Sequence, residues 1–554
     1  MSSIIYAADA VPPLRITWLN ALQHISLSAV TLIFPRIVAE AAGADPETIT
    51  RYVSLAMVVM GAATLIQAYG RRGIGSGYLL LGHCTILYVP FAVAAAQSGG
   101  LGAVAGLTIA AGLTEMALSR CVRPLRAWIS PEIIGVVIIL LGIMLGVLGL
   151  KLMIGAGPGG AAGPLEMAAA AMALATIIAA AIWGTPGLRS LAALVGVAAG
   201  CTAWVVLEIA MGDLRAATRD VAFILPVWPL AMPSFHAELL PGFLIGALAC
   251  FIRAVADLTA CQQLANPNWK APDFNNIRAG TLADGIGTVV AGIAGVLGSN
   301  TYSGSVGLGA ANGVIARRVG IAAGIGWIIL GLTPGAASLL YAIPGGILGA
   351  ACFYSATFTI KMGVGMLAQR LVDARRTLVI GSALVISVLT PDLRGHLDLP
   401  PLGMQMLNSP LAVAMIVALL LNAVLRLGIP RNASMLWQLE TADTLKDFAE
   451  TQGRVWAARV DLIRRAGNFL EEFVALAPRV VLRGSEATLE LRYNETGLQI
   501  ELSWQGEPLH LAGSVNTDDD DGTLQVALMR HWADEISFSS DRGRQTLKVY
   551  VDER

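Results

Sequence analysis

Charge is what this chain has least of. Of its 554 residues only 14% are Asp, Glu, Lys or Arg, against about a quarter in a soluble globular domain. That scarcity excludes an ordinary soluble protein. The balance of 37 basic against 38 acidic residues, a formal net charge of −1, excludes a basic nucleic-acid-binding surface. Cysteine is sparse too. Its 6 copies, Cys84, Cys121, Cys201, Cys250, Cys261 and Cys352, are dispersed among apolar segments with no CxxC pair and no metal-ligand spacing. They read as small core residues, so neither disulfides nor a metal or other cofactor is expected. No Ser-His-Asp arrangement, HExxH, P-loop or paired-carboxylate motif stands out, and the chain is not expected to be an enzyme. Met1 to Pro13 lacks a basic region followed by an apolar one, so no cleavable signal is expected there.

What the chain has in abundance is apolar surface, 55% hydrophobic residues, and glycine, 60 copies. Apolar stretches of roughly 20 residues, enough to cross about 30 Å of hydrocarbon, recur from about residue 17 to 427. Fourteen spans are expected: 17–41, 50–69, 73–95, 100–119, 132–150, 166–184, 189–209, 240–262, 279–298, 301–316, 320–341, 343–365, 375–390 and 408–427. Every second connection is basic. Arg71 and Arg72; Arg120, Arg123 and Arg126; Arg189; Lys270 and Arg278; Arg317 and Arg318; and Lys361, Arg370, Arg375 and Arg376 mark one side. Only Arg51, Lys151, Arg215, Arg219 and Arg394 fall on the other. The side richer in Lys and Arg is cytoplasmic, and an even span count then puts both termini there.

Fourteen divides into two sets of seven, and an odd number per repeat inverts the second copy relative to the first. The third span (Gly73-Ile-Gly-Ser-Gly through His83-Cys84-Thr85 to Pro90) and the tenth (Ser299 to Gly313) are both short and Gly-interrupted. Backbone that leaves the helix inside a bilayer must line a cavity or bury itself against protein, and broken helices at matched positions point to a central ligand site.

Specific motifs resemble those of the nucleobase–ascorbate transporter family, the xanthine and uracil permeases, over about residues 15–427. They are Leu19-Asn-Ala-Leu-Gln-His24 running to Phe34-Pro35, Gly82-His83-Cys84-Thr85, Ala279 to Gly285, Ile343 to Gly349, and Asn300-Thr301-Tyr302 through Val306-Gly307 to Asn312 and Arg317 to Gly320. The resemblance implies a core domain of spans one to four and eight to eleven that holds the substrate. A gate domain of spans five to seven and twelve to fourteen would support dimerisation, and movement of core against gate would carry substrate, often with protons.

The departures from the family pattern bear on specificity. Where the family has a glutamate that holds the base, this chain has Arg253 in Phe251-Ile-Arg-Ala-Val-Ala-Asp257, a donor in place of an acceptor. Gly304 and Ser305 stand where the family's tenth-span motif reads the base, and Asn312 stands at its terminal Thr. An intramembrane Arg costs at least about 2.5 kcal/mol on insertion scales and is paired, solvated or functional. Asp257, four residues on, can pair with it along the helix. Alternatively Arg253, with amide groups of the two broken spans, forms a cradle for an anionic or carbonyl-rich substrate.

The substrate-binding set is therefore expected among Arg253, Asp257, His83, Cys84, Thr85, Tyr302, Ser303, Gly304 and Ser305. Asp257 is the expected proton-coupling group, at a position where the family commonly has an ionisable residue. Asp284 is expected at a cytoplasmic helix start in a structural role, and Glu40, Glu115 and Glu208 near span ends. His24, in the family's opening motif, has either a site role or a helix-to-helix hydrogen bond.

From about residue 431 the pattern becomes that of a soluble α+β module. Leu436 to Ala475 reads as amphipathic helix, Ala487–Tyr493, Leu498–Ser503 and Thr546–Val551 alternate as strands, and Leu524–Asp534 reads as a helix. The order resembles the small ATP-binding domain of histidine kinases and anti-sigma factors, most closely at Trp532 to Phe538 and Gly543. Where that domain binds adenine this chain has Trp504-Gln505-Gly506, and Asp518 to Asp521 replace the lid, where four carboxylates repel phosphate.

The expected architecture is an all-α polytopic membrane protein of fourteen spans in two inverted sets of seven, residues 1–430, followed by a degenerate cytoplasmic α+β regulatory domain, 431–554. Its expected function is proton-coupled uptake of a nucleobase or purine-like substrate by a homodimer in the inner (plasma) membrane. Two alternatives are a carrier of a small anion such as urate or a carboxylate, and a transporter-like sensor signalling through the tail.

Overall fold

The computed structural model describes residues 4–122, 131–156, 163–185, 188–189, 191–211, 226–266, 272–333, 335–368, 374–396, 407, 410–425, 432–437, 444–456, 458–482, 486–494, 497–507, 520–541 and 544–552. Arg123, Arg126, Arg215, Arg219, Lys270, Arg370, Asp518 and Asp519 lie outside the described residues. The described residues of 1–267, 273–364 and 382–419 form one compact unit, and those of 268–272, 365–381 and 420–554 a second.

The first unit opens with α1 (Leu14–Ala29), a 3₁₀ turn (Val30–Leu32) and α2 (Ile33–Ala41), followed by α3 (Pro46–Tyr69). Asp45 starts α3 by accepting from Thr48 N at 3.3 Å, with Pro46 at the first helical position, where a missing N–H costs nothing. Then come β1 (Gly82–Cys84), α4 (Val89–Ser119), α5 (Pro131–Met153), α6 (Pro164–Trp183), α7 (Ala192–Met211), α8 (Leu240–Ala265), α9 (Phe274–Ala294), β2 (Ser299–Thr301), α10 (Ser303–Asn312), α11 (Arg317–Leu332), α12 (Ala336–Ala342), α13 (Gly345–Leu367), α14 (Ala374–His396) and α15 (Pro410–Leu425). Nine helical stretches among the described residues are long and apolar enough to cross a membrane.

Three of the fourteen expected spans are not continuous helices: 320–341 runs over the end of α11 at Leu332 and into α12 from Ala336, and the other two are the Gly-interrupted segments. Residues 73–95 run through irregular chain and β1 before α4 begins at Val89, and 301–316 begins in β2 before the short α10. The cause is composition: glycines and side chains that compete with the helical backbone leave no sustained helical register. α4 covers the end of the expected third span and all of the fourth, broken at Gly100, whose φ of 66° is left-handed.

Helix contacts are close because small residues permit it. α4 lies along α9, and a Cβ placed on Gly112 would stand 2.6 Å from Val289 N and 2.8 Å from Gly285 O. Backbone atoms cannot step aside as a side-chain tip does. Gly112→Val is expected to abolish recovery of monodisperse protein in size-exclusion chromatography, whereas Gly307→Ala, with nothing within 4 Å of its Cβ, behaves as wild type. Normal recovery of Gly112→Val would refute this packing.

The second unit carries a five-stranded antiparallel sheet ordered β3-β4-β5-β7-β6. Its strands are β3 (Asn432–Trp437), β4 (Ala487–Asn494), β5 (Gly497–Gln505), β6 (Glu535–Asp541) and β7 (Arg544–Asp552), with helices α16 (Thr444–Trp456), α17 (Val460–Val480) and α18 (Asp520–Trp532). Leu436 and Trp437, expected to open a long helix, belong to β3, because pairing with Thr488 and Ala487 completes the sheet edge. Leu489, Leu491, Ile500, Leu502, Leu547 and Val549 alternate inward and meet the apolar stripe of α17, where Phe469, Leu470 and Phe473 are buried.

Candidate functional site

The two interrupted segments meet. β1 and β2 pair antiparallel with His83 opposite Asn300 and Cys84 opposite Ser299, which joins residues 217 positions apart. The irregular backbone around them is satisfied locally. Tyr302 N donates to Leu81 O at 2.8 Å, Gly82 N to Thr64 Oγ1 at 3.0 Å, and Leu81 N to Ser305 Oγ at 3.3 Å. Non-helical chain at membrane depth is tolerated where protein supplies the missing partners or where it lines a cavity.

Beside this pair lies a cavity of about 420 Å³, its open mouth included, lined by Val30, Thr31, Phe34, His83, Ile86, Leu141, Leu145, Arg253, Tyr302, Ser355 and Thr359. Its size is in the range of small-molecule sites. Its walls come from the α1–α2 turn, the chain around β1, α5, α8, the start of α10, and α13. Most of the lining is apolar. Among the described residues the single charge on it is Arg253, which is 5% exposed.

Arg253 is held from behind. Its Nε donates to Ser303 Oγ at 3.2 Å and lies 3.9 Å from Asp257 Oδ2, so the expected pairing along the helix exists as an ion pair longer than a hydrogen bond. Asp257 Oδ2 accepts from Thr301 Oγ1 of β2 at 2.8 Å. The carboxylate thus answers the buried cation and ties α8 to the strand pair in one arrangement. The Nη groups of Arg253 have no partner among the described residues.

His83 Nδ1 is 2.8 Å from Asn300 O; a carbonyl only accepts, so Nδ1 carries the hydrogen. The His83 and Tyr302 rings lie 4.7 Å apart, tilted by 47°. The Tyr302 hydroxyl donates to Leu27 O at 3.3 Å.

Of the nine expected binding residues, His83, Arg253 and Tyr302 line the cavity, and Asp257 and Ser303 stand directly behind Arg253. The other four do not line it. Ser305 Oγ donates to Tyr302 O at 2.6 Å and Thr85 Oγ1 accepts from Leu87 N at 3.3 Å, so both hydroxyls are committed to backbone. Cys84 is buried, and Gly304 lies under the Tyr302 ring, 2.6 Å from which a Cβ would fall.

One carboxylate, Asp284, stands elsewhere than expected. Asp284 sits in the middle of α9, buried, and accepts from Asn300 Nδ2 at 2.7 Å, while the same amide reaches Cys250 O at 3.0 Å. Glu115 is buried within α4, hydrogen-bonded to the Tyr88 hydroxyl, and 3.4 Å from Thr288 Oγ1. Glu208 is buried as well, whereas Glu40 pairs with Arg36 at 2.8 Å. Asp284 was expected at a helix start, and its hydrogen-bonded partner lowers the cost of the deeper place; Glu115 and Glu208 lie within four residues of the ends of α4 and α7, near the span ends as expected. Among the cysteines, Cys121 is exposed, not core. His24 is buried, with neither ring nitrogen hydrogen-bonded among the described residues.

Val30, Thr31, Phe34, Ile86, Leu141, Leu145, Ser355 and Thr359 were not anticipated. Ser355 and Thr359, spaced i,i+4 on an apolar helix, share one face, the one signal that could have marked α13 as a cavity wall.

A profile of a permease family, the xanthine and uracil permeases, matches residues 15–394. The xanthine permease XanP of Escherichia coli is 25% identical over 447 residues, covering 76% of this chain and 95% of that protein. A xanthine permease of Bacillus subtilis is 26% identical over 353 residues, 63% of this chain and 79% of its own length. Among solved structures, SLC26A9 superposes with a TM-score of 0.50 at 12% identity, over 77% of this chain and 68% of that one, a likeness of fold alone.

Proposed function

Because the chain belongs to the xanthine/uracil permease family, a family of multi-pass membrane transporters, we propose that it takes up a nucleobase, a purine above all, by proton symport through the cavity around Arg253. The observation that carries this reading is a buried cation facing an apolar, aromatic-walled cavity where two interrupted segments meet. Tyr302 and Phe34 offer faces to a flat ring, and Arg253 offers hydrogen bonds to its polar edge.

The transport unit crosses the membrane fourteen times, in two inverted sets of seven, with both termini cytoplasmic, and works as a homodimer. The pairing of the third segment of one set with the third of the other, antiparallel, supports the inversion. Core spans contribute Arg253, His83 and Tyr302 to the cavity, and gate spans contribute Leu141, Leu145, Ser355 and Thr359. Sliding of the core spans against the gate spans would therefore open and close the cavity. The tail is a regulatory domain without ATPase activity. In support, Trp504, where the resembling domain binds adenine, is buried against Phe473 at a ring distance of 5.3 Å.

Asp257 couples transport to protons: a carboxylate shared between Arg253 and Thr301 changes its hydrogen bonding when either moves. In proteoliposomes an inward proton gradient is expected to drive accumulation of radiolabelled xanthine. Asp257→Asn keeps binding within about tenfold and counterflow exchange, but loses gradient-driven accumulation. Undiminished accumulation by this variant would remove Asp257 from the coupling.

A second reading, a carrier of small anions, is favoured by one feature: among the described residues the cavity wall holds a guanidinium and no carboxylate. Uptake of acetate or another carboxylate in the same vesicles, with xanthine neither bound nor carried, would replace the nucleobase reading with this one.

A further inference from the structure

Taking the nucleobase reading above as its premise, we infer that this cavity reads the O6/N7 edge of a 6-oxopurine in its N9–H form, with the guanidinium of Arg253 as the reading group. The donor inventory leads there. Nε of Arg253 is committed to Ser303 Oγ at 3.2 Å, with Asp257 behind it at 3.9 Å. That leaves the Nη groups, which only donate, on a residue that lines the cavity. A planar pair of N–H donors matches two adjacent acceptors in one plane.

Among purine bases in their N9–H form that pattern is found on one edge; among the pyrimidines, cytosine alone also sets two acceptors, N3 and O2, side by side. Guanine presents O6 and N7 side by side as acceptors, the edge that arginine reads in nucleic acids. Hypoxanthine and xanthine share it when N9 carries the hydrogen. Adenine keeps N7 but replaces the neighbouring acceptor with an amino donor, which would point at the guanidinium. Uracil alternates acceptor, donor and acceptor, so no two of its acceptors are adjacent.

A second group sets polarity on the cavity wall. With Nδ1–H of His83 given to Asn300 O at 2.8 Å, the neutral ring keeps Nε2 as an acceptor, without a partner among the described residues. A purine that gives two acceptors to Arg253 still has ring N–H groups for such an acceptor. A carboxylate has two acceptors and nothing to donate. Thr359 Oγ1 donates to Ser355 O at 3.2 Å and keeps acceptor capacity, and the Ser355 hydroxyl donates or accepts, so neither sets the discrimination. The specificity of this site is thus carried by the polarity of Arg253, opposite to that of a carboxylate anchor.

The test is competitive binding to the purified full-length protein in detergent, with radiolabelled hypoxanthine displaced by guanine, 7-deazahypoxanthine, adenine, uracil and acetate. 7-Deazahypoxanthine keeps the shape and O6 but carries a C–H at position 7. Guanine is expected to compete within a few-fold of hypoxanthine. 7-Deazahypoxanthine, adenine and uracil are each expected to bind at least about tenfold more weakly, because a charged buried donor is left unpaired. Equal affinity of hypoxanthine and its 7-deaza analogue would overturn the edge assignment and leave the nucleobase reading standing; so would uracil binding as well as hypoxanthine. Absence of saturable hypoxanthine binding, with saturable binding of radiolabelled acetate to the same preparation, would overturn both.

Discussion

Replacing Arg253 by glutamine is expected to weaken purine binding by roughly 10- to 150-fold while leaving the protein folded. The figure is the loss of a charge-assisted hydrogen bond, about 1.5–3 kcal/mol, at about 1.4 kcal/mol per factor of ten. Glutamine keeps an amide donor for Ser303 Oγ, now 3.2 Å from Nε. It also lets Asp257, which still accepts from Thr301 Oγ1 at 2.8 Å, take up a proton in place of its lost counter-ion. Titration calorimetry and ligand-free thermal unfolding separate the two roles open to this arginine. If it served only as partner to Asp257, the dissociation constant would hold. The unfolding temperature would instead fall, by as much as the roughly 3–5 kcal/mol that breaking a buried pair costs. A substrate-reading arginine gives the reverse pattern.

Phe473→Ala is expected to unfold the C-terminal α+β unit within the intact chain. Phe473 is fully buried on α17, its ring 6.3 Å from Trp437 on the edge strand β3 and 5.3 Å from Trp504 on β5. It therefore joins the helix layer to two separate strands of the sheet. Removing a buried phenylalanine costs about 3–5 kcal/mol, a large part of the roughly 5–15 kcal/mol that holds a domain together. Limited proteolysis of the full-length protein should then cut within 432–552 at protease levels that spare the wild type. Phe473→Leu, which keeps most of the volume, should be only slightly more sensitive. Equal resistance of wild type and Phe473→Ala would mean that this core is not what holds the unit.

The legibility of the molecule follows the physics of its two solvents. In the tail, water makes the inward face readable. The alternation through Leu498–Ser503 and Thr546–Val551 marks strands, and these are β5 and β7, paired residue for residue from Leu498 opposite Val551 to Ser503 opposite Thr546. The amphipathic stripe of α17 is readable in the same way. β3 was not, because Asn432–Trp437 is too short to display a period and its pairing with β4 is decided by residues some fifty positions away. In the membrane unit lipid is as apolar as the core, so length and hydrophobicity mark a span without marking its inner face. Leu141 and Leu145 line the cavity from a helix with no sequence contrast between its sides.

By itself, then, the sequence determined that the chain lives in a membrane, where its glycine- and polar-rich segments break, and that Arg253 lies in mid-span among apolar residues, since each is a local cost that apolar surroundings cannot hide. The tertiary structure alone decided which backbone satisfies the broken segments and which groups the arginine faces. β1 finds β2 across 217 residues, and Ser303 and Thr301 are thereby brought to Arg253 and Asp257. It also decided that Asp284 lies deep in α9 against Asn300, not at a helix end. Partners so distant in the chain come together only once the helices have packed, because hydrogen-bond geometry is fixed by contacts between elements and not by the composition of either one.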